Sequence, residues 1–239
     1  MASADLVQYN ADTYDRMWRF AHFIPPDRTP WWPLMKIFAQ QARDRLEIGP
    51  GPWPKLPVEG THVVDLSAPA LELLARQGAL VHRGLLHEIG FPVGAFDLVG
   101  LFEVLEHVPD DTGLLHELGR ITRPGGRLVV SVPLRMDFYN AFDRWAGHVR
   151  RYEPEELLEK LAQAGFVIDC FEVRPETGGR AAAVVLAWFC RFFPRFSMWV
   201  TERLLLPAML KTQLLWTGAS QWGERMRDAG HCTVVCKRA

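Results

Sequence analysis

Between residues 44 and 173 short apolar runs of strand type alternate with helical patterns, and few architectures accept that order. A parallel sheet covered by helices on both faces is the one that does. The runs RLEIG (45–49), THVVDL (61–66), ALVHRG (79–84), FDLVGLF (96–102), GRLVVSVP (126–133) and FVIDCFEVR (166–174) read as strands. HCTVVCKRA (231–239) reads as a further strand that returns to the sheet. Three helices are signalled between them. APALELLARQG (68–78) is one, and a second starts near Asp110 and Asp111, with Leu114, Leu115, Leu118 and Ile121 at helical spacing. The third lies in YEPEELLEKLAQAG (152–165), with Pro154 early, acids in the first turn and Gly165 at the stop. The expectation is an α/β, doubly wound, Rossmann-like sheet of seven strands in a single domain spanning 1–239.

Two segments fall outside that core of 41–175. Within residues 1–40, positions 5–22 pattern as an amphipathic helix that caps the sheet. Residues 176–229 form an apolar helical insertion before the final strand at 230–239. Between 181 and 222 the insertion holds Trp188, Phe189, Phe192, Phe193, Phe196, Trp199, Trp216 and Trp222. Its best run, AAAVVLAWFC, stops at Arg191, short of the roughly 18 residues that a spanning helix needs. The N-terminus carries acids early and lacks a signal-peptide pattern, so the expected location is cytoplasmic. A formal net charge of −1 gives no general attraction to nucleic acid. The four cysteines (Cys170, Cys190, Cys232, Cys236) lack CxxC spacing and paired histidines, so no metal site is expected. On a strand Cys232 and Cys236 share one face, as small apolar packing residues.

The loop RLEIGPGPWPKLP (45–57) narrows the ligand. Gly49 and Gly51 open like a dinucleotide loop, but Pro54 stands where a third glycine belongs. Pro52, Pro54 and Pro57 donate no N–H and oppose an immediate helix, and residues 52–61 leave little room for a crossover helix. A pyrophosphate would find few donors there. Glu47, within the first strand, suits a cationic ligand, and Asp65, ending the second, suits the two hydroxyls of a ribose. A ribose, a positive charge and no pyrophosphate describe S-adenosylmethionine (SAM).

At this point the sequence resembles the class I SAM-dependent methyltransferases, in particular the bacterial small-molecule group. LEIGPG (46–51) resembles their first motif and VVDLS (63–67) the acidic end of their second strand. FDLVGLFEVLEHVPDD (96–111), RITRPGGRLVVSVP (120–133) and GHVRRYEPEELLEKLAQAGF (147–166) are similar to their later motifs, and YNADTYDRMW (9–18) to their capping helix. The resemblance implies an antiparallel last strand. It implies Glu47, Gly49, Pro50 and Gly51 near the methionine moiety, Asp65 on the ribose and Leu66 beside the adenine. Gly84 to Leu86, including Leu85, would follow at the adenine edge. Phe102 and Glu103 would lie under the cofactor, with Tyr14 closing over it and His107 facing the substrate. Trp53 and Leu85 depart from the family pattern, which bears on affinity more than on identity.

Methyl transfer is an in-line displacement that needs alignment and water exclusion, and a general base only where the acceptor loses a proton. Candidates for that base are His107, His148 and Tyr152. Arg150 and Arg151 suit either an anionic acceptor or a nearby acid such as Asp143, the pair then facing solvent. The 181–222 segment, with Arg191, Arg195, Arg203 and Lys211 among its apolar residues, fits several roles. These are a helical subdomain packed on the sheet, a lid over an apolar pocket, a homodimer interface, and a peripheral membrane or lipid contact. The reading is methyl transfer to a small, partly apolar molecule. The competing readings are a nicotinamide-dependent oxidoreductase or epimerase and a non-catalytic subunit that binds SAM or a lipid-like ligand.

Overall fold

A computed structural model describes residues 3–176, 179–205, 207 and 212–239. Lys211 therefore lies outside the described residues. The parallel strands are β1 (Arg45–Ile48), β2 (His62–Asp65), β3 (Leu80–Arg83), β4 (Phe96–Phe102) and β5 (Thr122–Pro133). Two longer strands follow, β6 (Phe166–Pro175) and, at the chain's end, β8 (Ala229–Arg238). The order across the sheet is β3-β2-β1-β4-β5-β8-β6-β7. β8 runs antiparallel to both β5 and β6, as expected of the last strand. The sheet has eight strands rather than seven. The addition, β7 (Thr217–Gly218), is a two-residue edge pairing with Cys170 and Phe171 of β6, too short for a sequence pattern to reveal.

The helices are α1 (Ser3–Trp18), α2 (Trp32–Gln41), α3 (Ala68–Ala75), α4 (Leu86–Ile89), α5 (Asp111–Ile121), α6 (Ala141–Ala146) and α7 (Pro154–Gln163). Their starts are set by capping. The Asp110 carboxylate accepts from Gly113 N–H at 2.9 Å, and Asn140 and Asp143 form a reciprocal box at α6. α7 begins on Pro154 with Glu155 and Glu156 in its first turn, where the helix dipole favours acids.

Alternation along β4 assigns the two faces of the sheet. Val99 and Leu101 join a core with Leu115, Leu118, Leu157 and Leu161 of α5 and α7. Leu98 and Phe102 join the opposite core with Trp31, Met35 and Phe38. The β1–β2 connection holds no helix; Leu56, fully buried in that second core, fills the space that a crossover helix would cover. Cys232 and Cys236 are both buried on the α5–α7 side, as their spacing predicts, and all four cysteines are free.

The insertion begins with α8 (Arg180–Phe192) and α9 (Pro194–Val200), followed by a π turn at Thr201–Leu205. α8 packs on α6 and α9 on α1, around Met17, Cys190 and Met198 with Trp18, Trp53 and Trp145 at the margin. The two helices thus rest chiefly on other helices, while the later residues Leu214, Trp216, Thr217, Gly218, Trp222 and Met226 reach the sheet or the cores on it. Among the described residues no helix is long and apolar enough to cross a membrane.

Candidate functional site

The strand order reverses direction between β1 and β4, and a doubly wound sheet offers its ligand crevice at that point, beyond the carboxyl ends of the strands. Gly49 and Gly51 sit there at φ of 60° and 56°, conformations that side chains resist. A Cβ on Gly49 would lie 2.6 Å from Val104 Cγ2, and one on Gly51 about 3.1 Å from the Trp18 ring. The loop is thus enclosed by the segment after β4 on one side and by α1 on the other. Pro50, Pro52 and Pro54 are buried in it.

Each of the two acids holds backbone. Asp65 accepts from Gly51 N–H at 3.1 Å and Ser67 N–H at 2.8 Å, tying the ends of β1 and β2 together. Burial raises its carboxyl above the ordinary range, against the pull of those N–H groups. Glu47 is buried and accepts from Lys55 N–H at 2.8 Å and Leu56 N–H at 3.0 Å. Its carboxylate is therefore engaged in shaping the proline loop rather than turned toward a methionine moiety. Burial raises Glu47 and lowers the ammonium of Lys55, each partly offset by the other's charge.

At the end of β4, Glu103 takes φ of 54°, a left-handed backbone costly for this residue type and held by its surroundings. Its N–H donates to both the carbonyl and the Oγ of Ser131, and that hydroxyl donates back to Oε1 at 2.7 Å. Burial opposes the charge on Glu103, but His231, Arg174 and the Ser131 hydroxyl outweigh it and hold the carboxyl below its ordinary range.

Past Glu103 the chain turns into a compact polar cluster. His107 and His148 meet edge to face with ring centroids 4.6 Å apart, and Tyr14 of α1 meets His107 at 5.7 Å. Tyr14 stacks on Trp18 at 5.4 Å, and Trp18 meets Trp53 at 5.3 Å. One arc of rings thus links the glycine loop to the two histidines. His148 Nδ1 lies 2.8 Å from Asp143 Oδ1, and its Nε2 lies 3.8 Å from Glu106 Oε1. Burial, and then the neighbouring His148, push His107 down to about 3, so it is neutral at physiological pH. Burial and the charge of Glu103 push Glu106 well up. Among the described residues, both Glu106 oxygens and His107 Nδ1 are buried without a hydrogen-bond partner.

Several expected site residues stand elsewhere. Tyr152 is fully buried, its hydroxyl donating to Asp111 Oδ2 at 2.8 Å and lying 3.2 Å from Leu105 O, so it ties the loop after β4 to α5. Leu86 turns into the α5–α7 core and Phe102 into the opposite one, against Trp31, so neither side chain lines the crevice. Leu85 N–H already donates to Glu88 Oε2 at 2.9 Å, while Leu66 stays half-buried beside Asp65. Arg150 pairs with Asp111, and Arg151 grips Asp143 through Nε and Nη2, both at 3.0 Å. Arg151 is buried, not solvent-facing. Residues that the sequence reading missed are Trp18, Lys55, Glu106, Ser131 and His231, with Asp143 missed as the partner of His148. Only Glu106, an acid directly before His107, carried any local signal.

The donor set fits SAM. An acid at the β2 edge and an ionised one at the β4 edge suit ribose hydroxyls and a cation. The prolines leave a phosphate few N–H groups, and Gly51 already spends its own on Asp65. A groove of about 460 Å³, lined by Val93, Gly94, Arg120 and Gly165 among others, lies at the opposite, amino-terminal edge of the parallel strands, away from these residues.

Fold and site together define a class I SAM-dependent methyltransferase. The chain belongs to the methyltransferase-domain family, whose model matches residues 34–170. It is 35% identical over 91 residues to a Mycolicibacterium smegmatis protein described as a probable SAM-dependent methyltransferase. That match covers 37% of this chain and 35% of that one. It is 32% identical over 117 residues to a demethylmenaquinone methyltransferase of Mycolicibacterium vanbaalenii, covering 48% of each. The chain thus spans about a third of the length of the first of these curated relatives and about half of the second. A SAM-dependent methyltransferase structure from Thermotoga maritima superposes with a TM-score of 0.58 at 16% identity, over 93% of this chain and 92% of the other, a likeness of fold. SAM is the cofactor of this family, and nothing in the comparisons favours a nicotinamide enzyme.

Proposed function

We propose that the chain transfers a methyl group from SAM to a small, partly apolar acceptor bound beside His107 and His148. The observation that carries this reading is the continuous ring arc from Trp53 to His148, which joins the cofactor loop to the paired rings of His107 and His148. SAM, when bound, supplies an electrophilic methyl group on sulfur. Asp65 would hold the ribose, and Glu103 would face the cationic end. Tyr14 and Trp18 of α1 would exclude water from the crevice, which strengthens every charge interaction inside it.

Asp143 holds His148 through Nδ1, the arrangement of a base oriented by a carboxylate. His148 would take the proton of an acceptor hydroxyl or amine as the new bond to carbon forms and the carbon–sulfur bond breaks, S-adenosylhomocysteine leaving. His107, neutral where it stands, would wall the acceptor. The aromatic rings of Tyr14, Trp18 and Trp53 along the same arc support a partly apolar molecule, as does the similarity to a demethylmenaquinone methyltransferase.

The test uses the full chain. Calorimetry should show heat with SAM and with S-adenosylhomocysteine and none with NAD. Label from methyl-tritiated SAM, incubated with a cell extract, should enter the organic-solvent layer in an amount that falls on His148→Asn. Binding of NAD without SAM would overturn the reading. Binding of SAM with no labelled product in any layer would leave a binding module instead.

A further inference from the structure

Between Arg180 and Arg191 helix α8 carries no polar side chain, and an apolar stretch of that kind is stable only when most of it is covered. Its inner side is covered, with Leu186 and Cys190 in the cluster formed with α1. Its outer side is not. Val184, Val185, Trp188 and Phe192 stand there at 56%, 55%, 50% and 58% exposure. α9 repeats the pattern, with Ser197 and Met198 buried and Phe196 and Trp199 exposed, and the π turn adds Leu204 and Leu205. The rings touch in series. Trp188 meets Phe192 at 5.6 Å and Phe189 at 5.1 Å, Phe189 meets Phe196 at 5.9 Å, and Phe196 stacks on Trp199 at 6.1 Å. A single aromatic face of this extent exceeds the scattered apolar residues that soluble surfaces tolerate.

Charge decides what covers it. Arg180, Arg191, Arg195 and Arg203 are exposed in this segment, on a chain whose net charge is −1. Its one acid, Glu202, accepts from His22 N–H at 2.6 Å and lies 2.7 Å from His22 Nδ1, so its charge is turned into the protein. A second copy of this chain would have to set the same arginines against each other, because a two-fold interface is made of one patch twice. An anionic lipid surface meets both features, with headgroups for the guanidinium groups and the acyl boundary for the rings.

We propose that the outer face of α8, α9 and the π turn docks on an anionic bilayer surface, lying in the interface without crossing it. The same helices rest on α1 and α6, so the docked protein would hold the crevice beside the interface, where an apolar acceptor dissolves. That last consequence rests on the proposed methyl transfer; the docking does not.

The test is co-sedimentation of the full chain with phosphatidylcholine vesicles, with and without about one-third phosphatidylglycerol. The expected result is about tenfold or greater binding to the anionic vesicles at low salt, weakened at high salt. Arg191→Glu with Arg195→Glu should lower it about tenfold or more. Trp188→Ser with Phe192→Ser should abolish it while the melting transition stays cooperative. Equal binding to neutral vesicles, or none to either, overturns the proposal. So does a stable dimer in sedimentation velocity that the Trp188 and Phe192 changes dissociate, since a second copy would then own the face.

Discussion

The imidazoles of His107 and His148 stand edge to face, 4.6 Å between centroids, yet only His148 is oriented by a carboxylate. His107 is pressed between His148 and Tyr14 with Nδ1 unpartnered. Under the proposed methyl transfer the two rings have different tasks, His148 taking the proton and His107 walling the acceptor.

His148→Asn keeps a donor near Asp143 and removes the nitrogen that faces the acceptor. With the labelled acceptor as substrate, kcat should fall about 10²-fold or more while the dissociation constant for SAM stays within about twofold. Unchanged kcat would reduce His148 to a structural part.

Tyr152→Phe removes a hydroxyl bonded to Asp111. Stability should drop by about 1–2 kcal/mol in denaturant melts, with turnover per folded molecule unaltered. A collapse of kcat with stability intact would return Tyr152 to the chemistry.

His107 titrates near 6.5 in the unfolded chain and at about 3 when folded. A depressed imidazole means that the unfolded chain binds the extra proton, so this contribution is complete above pH 6.5 and is lost as pH falls toward 3. His107→Gln should flatten the decline of unfolding free energy across that window. A parallel decline in the variant would assign the slope to other groups.

Gly51→Ala meets two obstacles, the φ of 56° and the Trp18 ring at about 3.1 Å. The expected loss is about 1–3 kcal/mol. Adding Trp18→Ala to that variant should recover the contact part and leave the backbone part, a coupling that a double-mutant cycle in thermal melts will read. Strict additivity would show that Trp18 does not press on the loop.

What could be read in advance was what local pattern decides. The strands, the starts of α5 and α7, and the lack of a helix after Gly51 follow from alternation, helical spacing and proline chemistry. Asp65 was legible because an acid at a strand end needs no tertiary knowledge. Phe102 and Leu86 were misplaced because one step along the chain decides which face a side chain joins. Lys55 and Trp18 were invisible because their roles arise only where distant segments close on each other. Trp18 arrives from α1, and the partner of Lys55 lies on β1.

The proline loop after β1 has a consequence for turnover. Its φ angles are fixed at four positions between 50 and 57, and Glu47 clamps two of the few N–H groups it retains. The crevice is thus bounded by a loop of restricted backbone on one side and on the other by α1, which the Tyr9 and Tyr14 hydroxyls tie to the carbonyls of Trp145 and Ala146. Under the proposed methyl transfer, loosening that tie with Tyr9→Phe should speed the escape of S-adenosylhomocysteine, a rate that would then answer to the rim of the molecule more than to its sheet.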